Sequence, residues 1–159
     1  MVATTGLSLD QAPPIHLPLR FFLIAPWLAA AAGLVLAFQG EAVMTSRWAP
    51  AALAVTHLLA IGFSGQVMCG ALLQMLPVIA GAPVPRVGQV GTWSQVLLTV
   101  GSALMAAGFL GLGATLLAIG GSAVGLAVFL FLAALVVALA RAQGPAATRL
   151  GLRLAALAL

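Results

Sequence analysis

Thr56-His57-Leu58-Leu59-Ala60-Ile61-Gly62-Phe63-Ser64-Gly65-Gln66-Val67-Met68-Cys69-Gly70-Ala71-Leu72-Leu73-Gln74-Met75-Leu76-Pro77-Val78 is an apolar, helix-forming run with a single imidazole near its start. A segment of this length and character reads as part of a membrane-crossing helix. An ionisable ring at hydrocarbon depth is costly unless its nitrogens are satisfied, so His57 marks a functional site by default. A polarisable metal centre is an economical partner for such a nitrogen. The competing reading is a hydrogen bond to a carbonyl or hydroxyl on a neighbouring helix.

Composition extends the membrane assignment to the whole chain. The 159 residues are 64% hydrophobic and only 5% charged, with a mean hydropathy of +1.24. A soluble domain of this size needs far less apolar surface. The high isoelectric point, about 11.7, comes from six basic residues, all arginine. They stand singly at the ends of apolar runs, where they orient helices, so the charge does not point to nucleic acid. Cys69, the lone cysteine, rules out a disulfide framework within the chain.

Residues 1–18 lack a basic n-region and hold Asp10, Pro13, Pro14 and Pro18. They read as an N-terminal arm ahead of an uncleaved first span. Four spans are predicted within 19–141. The first runs from Arg20 to about Phe38, with Pro26 as a kink or early turn. The second follows Thr45-Ser46, has Pro50 in its first turn and continues to Pro77 or Ala80. After the breaker Gly81-Ala82-Pro83-Val84-Pro85-Arg86, the third covers about Gly91 to Leu110. Gly111-Leu112-Gly113 makes a tight turn into the fourth, Ala114 to Ala140. Residues 142–159 then form a loop and a partial fifth helix from Thr148. About 12 residues at 1.5 Å each fall short of the core thickness, so this helix is interfacial or cut short. The expected fold is an all-α, polytopic membrane helical bundle of four transmembrane helices plus a partial fifth.

Arginine asymmetry sets an expected orientation. Arg20, Arg86, Arg141, Arg149 and Arg153 fall on the side of the N-terminus, and Arg47 alone on the other. The positive-inside rule then puts the N-terminus in the cytoplasm. Trp48 anchors the outer boundary, and His57 lies roughly 13 Å further along the helix, in the outer half of the membrane.

At 100° per residue, Ser64, Met68 and Met75 share the face of His57, whereas Gly62, Gly65 and Cys69 form a separate close-packing face. The methionines suit packing, and Met68 lies roughly 16 Å from His57, too far to share one ion. Gly121-x-x-x-Gly125 is a helix-packing signal in the fourth span. His16, before the first span, reads as an interface residue.

The pattern His57…Gly62-Phe63…Met68…Gly70-Ala71-Leu72…Gln74…Leu76-Pro77 resembles the second transmembrane helix of the catalytic subunits of heme-copper oxidases and nitric oxide reductases. Pro18-Leu19-Arg20-Phe21-Phe22 also resembles the lead into their first helix. The resemblance covers roughly positions 14–80. It implies that His57 is an axial ligand of heme b, and hence the metal ligand. Arg47 is a candidate partner for the heme propionates, beside its plainer role as an interface anchor. The chain departs from that family in having no histidine after His57. It therefore cannot by itself hold an oxygen- or nitric-oxide-reducing centre.

The leading expectation is a b-type, cytochrome-like membrane protein acting in electron transfer or diatomic-gas sensing. Its second axial ligand would come from a homodimer partner or another membrane subunit. The alternative is a cofactor-free accessory or assembly subunit of a larger membrane complex. The expected location is a bacterial inner membrane. A cation transporter is disfavoured by the scarcity of acidic residues.

Overall fold

The computed structural model describes residues 12–142, together with 150, 151 and 154. The arm up to residue 11 with Asp10, and nearly all of the short helix expected over 148–159 with Arg149 and Arg153, lie outside the described residues. The described chain is helical without strands: α1 (His16–Gln39), α2 (Glu41–Met44), α3 (Pro50–Ala80), α4 (Val87–Leu112) and α5 (Ala114–Ala140). All but α2 are long and apolar enough to cross a membrane.

The helix ends follow local chemistry. Gly40, with φ 48°, closes α1 by donating its N–H to the Leu36 carbonyl. Pro50 opens α3 in its first turn, where a missing N–H costs nothing. Gly81 stops α3 in the left-handed conformation at φ 56° and ψ 37°. Gly111 and Gly113, at φ 95° and 121°, turn α4 directly into α5. Neither conformation suits a residue with a β-carbon.

Three boundaries differ from the sequence reading: α1 begins at His16, four residues before Arg20 and inside the expected arm, and α4 differs at both ends. Pro26 neither ends nor interrupts α1, which runs on through it. The third span starts four residues earlier than expected, because Val87 to Val90 are helical. Its last turn, Gly108–Leu112, widens into a π-helical stretch that carries it two residues further, with Gly111 already bent out of the helix at φ 95°.

α1, α3, α4 and α5 run alternately up and down. α4 is the hub and packs along most of its length on α5. That contact depends on glycine. A methyl group at Gly120 would lie 2.6 Å from the Met105 backbone nitrogen, and one at Gly101 would lie 2.9 Å from the Gly120 carbonyl oxygen. The spacing motif Gly121-x-x-x-Gly125 is not the contact: both positions face open space. The packing signal was one residue out of register.

Two apolar clusters hold the bundle. At the end where α1 begins, Phe21, Leu73 and Leu76 meet Phe131, Leu135 and Leu139, with Ala82 and Val84 of the α3–α4 loop between them. Towards the other end, Leu28 and Ala32 meet Ala54, Val55, Leu58 and Ala106. Gly70 lets α1 approach α3, since a methyl there would lie 2.9 Å from the Phe21 Cβ.

Gly120→Ala should destabilise the α4–α5 contact by about 1–3 kcal/mol, the usual range for overpacking. Gly121→Ala should be close to neutral. Denaturant unfolding in detergent micelles, followed by circular dichroism, measures both.

Candidate functional site

α3 is not a uniform helix. Leu58 to Gly65 forms a π-helical stretch that begins immediately after His57. Such segments are rare and concentrate at functional positions. Gly62, within the stretch, is buried against α1 and α4: a methyl there would lie 3.2 Å from both Leu28 Cβ and Ser102 Oγ. Gly65 meets only the Ala60 carbonyl of its own helix.

The π stretch corrects the helical-wheel reading. One inserted residue rotates everything beyond it by about 100°, so uniform spacing from His57 to Met75 does not hold. His57 packs against Phe109 of α4, with ring centroids 4.9 Å apart and planes tilted by 39°. Met68 instead lines a groove of about 280 Å³ with Cys69, Leu98, Val124 and Phe131. The groove opens between α3 and α5. The expected close-packing face is also divided: Gly62 is tightly packed, Gly65 and Cys69 border the groove, and Gly70 makes the other close approach.

The His57 ring is half-buried, and its Nδ1 lies 2.7 Å from the Leu53 carbonyl oxygen one turn earlier. A carbonyl only accepts, so Nδ1 carries the proton and donates it. In the neutral ring Nε2 then holds the lone pair. Ligating histidines are commonly oriented in this way, by a backbone carbonyl that fixes the tautomer. The bond to Leu53 lies within one helix, so it leaves the ring free to meet a partner with its other nitrogen.

Arg47 stands on the turn before α3, exposed, with its guanidinium carbon 5.4 Å from the Trp48 ring centre. No hydrogen bond or ring contact joins it to His57, whose partners are Leu53 and Phe109. His16 lies at the first residue of α1, at the opposite end of the bundle, and is exposed. Among the described residues no group of three or more His, Cys, Asp or Glu side chains is placed to hold a metal ion.

Composition did not reveal the polar strip on α4. Arg20 Nη1 donates to Thr92 Oγ1 at 2.9 Å, and Nη2 to Gln95 Oε1 at 3.0 Å. One turn further along, the fully buried Gln66 donates its Nε2 to Thr99 Oγ1 at 2.7 Å and to the Gln95 carbonyl at 3.3 Å. Thr99 passes its own proton to the Gln95 carbonyl. Ser102, also fully buried, donates to the Leu98 carbonyl at 2.7 Å. Thr92, Gln95, Thr99 and Ser102 recur at helical spacing, and that period was the available signal.

No family model, curated protein or solved structure matches this chain.

The tautomer is directly measurable. In protein labelled with ¹⁵N-histidine and prepared without added cofactor, neutral His57 should show a protonated Nδ1 and a bare Nε2 by nitrogen NMR. A protonated Nε2 would contradict the Leu53 bond.

Proposed function

We propose that the protein is an integral-membrane, b-type heme-binding protein in which His57 Nε2 is an axial iron ligand. The observation that carries this reading is the Nδ1 bond to the Leu53 carbonyl, which leaves Nε2 as a lone pair on a half-buried ring. Phe109 supports it by fixing one side of the imidazole. The π stretch beginning at Leu58 adds a local departure of the kind found at ligand sites.

The residues fit one axial position and no more. His57 stands near one end of the bundle and His16 at the other, so a single copy does not bring both to one ring. A symmetric pair of chains places the same face of each copy together and can supply His57 twice. When bound, the heme supplies one-electron redox chemistry with two protein ligands, or a gas-binding position with one. This chain's contribution is orientation: Leu53 sets the tautomer, Phe109 limits ring rotation, and the surrounding apolar residues exclude water. Arg47 is available at the same end of the bundle for a propionate. Electron transfer or diatomic-gas sensing, within a dimer or a larger complex, is the activity that follows. The arginine distribution supports an N-terminus in the cytoplasm of a bacterial cell, with the His57 end outward.

One observation favours the second reading, a cofactor-free accessory subunit. Gly121 and Gly125 face open space on α5 beside exposed Val128 and Phe129, a surface suited to another membrane helix.

Absorption spectra separate the two. The purified protein should show a Soret band and sharp α and β bands on reduction, all lost in His57→Ala while the helical circular dichroism persists. A colourless wild-type protein from heme-replete cells would favour the accessory role.

A further inference from the structure

Arg20 has no place in the heme reading, yet it is the most constrained cation in the described chain. It sits one turn inside α1 and is half-buried. Instead of extending along the helix towards water, its guanidinium turns sideways onto α4 and is held by Thr92 and Gln95. Both acceptors are neutral. An arginine carries five N–H donors, and these two bonds use two of them. The one carboxylate among the described residues is Glu41. It lies 21 positions further on, roughly 31 Å at helical rise. A planar guanidinium fixed in this way at a low-dielectric boundary calls for an anion that offers two or more oxygens to its free N–H groups, as a phosphate does.

The surroundings indicate which anion. Trp93, next to Thr92, is 59% exposed, and exposed tryptophans on membrane helices mark the headgroup level. Leu19, Phe22 and Leu23 flank Arg20 on α1 and are exposed, an apolar bed for acyl chains. His16, four residues before Arg20 on the same helix face and exposed at the first residue of α1, adds a further donor at this end of the bundle.

We propose that Arg20, preset by Thr92 and Gln95, binds the phosphate diester of a phospholipid at the membrane boundary where α1 begins. The phosphate takes the guanidinium donors that Thr92 and Gln95 leave free, and the acyl chains lie along Leu19, Phe22 and Leu23. The proposal does not depend on heme.

Native mass spectrometry of the full chain, titrated with phosphatidylglycerol, tests it. Arg20→Gln should weaken lipid binding by about fivefold, the size expected for one basic residue at a membrane surface. Arg86→Gln, at an exposed cation of the same end, should leave binding unchanged. Thr92→Val keeps the charge but removes one brace, and should give an intermediate loss; it decides the matter if Arg20→Gln fails to fold by circular dichroism. A phosphate-free galactolipid should bind weakly to every variant, and millimolar inorganic phosphate should not displace the phospholipid. Equal binding by wild type and Arg20→Gln would overturn the proposal, as would equal loss in Arg86→Gln. Full displacement by inorganic phosphate would make this a free-anion site instead.

Discussion

A polar group inside hydrocarbon has no water to fall back on, and this bundle pairs several of those it carries, while Gln66 Oε1, Gln74 Oε1 and Ser94 Oγ stay buried without a partner among the described residues. His57 gives its Nδ1 proton to the Leu53 carbonyl. Arg20 and Gln66 reach across to a single strip on α4. That strip ties α1 and α3 to the same helix, while glycines at 101 and 120 tie α5 to the opposite side. Each interhelical hydrogen bond is modest, averaging about 0.6 kcal/mol in membrane proteins. Their value here lies more in fixing which faces meet.

The π stretch follows from the same geometry. Gly62 has to fit between Leu28 and Ser102, while Gln66, four residues on, has to reach Thr99 and the Gln95 carbonyl. The wider helix from Leu58 to Gly65 satisfies both and leaves His57 at its edge, against Phe109. The position of the imidazole is therefore coupled to the polar strip below it through one irregular segment.

Much of the fold was legible in the sequence because a span needs about 20 apolar residues, and that length requirement is hard to mistake. The turn at Gly111 to Gly113 and the breaker after Ala80 were equally plain, since glycine and proline act locally. His57 was legible for a related reason: one ring in an apolar run stands out. What was not legible depends on contacts between distant residues. Arg20 and Thr92 are 72 positions apart, and nothing near either announces the other. The spacing motif points to Gly121 and Gly125, whereas Gly120 is followed four residues on by Val124, and only the approach of Met105 shows that Gly120 makes the contact. The expected alignment of Met68 and Met75 with His57 failed because a wheel assumes constant rotation, and the backbone abandons it from Leu58 to Gly65.

The central claim is that His57 Nε2 is bonded to iron. Pulsed electron paramagnetic resonance of the oxidised protein labelled with ¹⁵N-histidine tests it most directly. The account predicts ¹⁵N hyperfine coupling from an imidazole to low-spin iron in the wild type, absent in His57→Gln. A heme signal whose histidine coupling survives that substitution would contradict it.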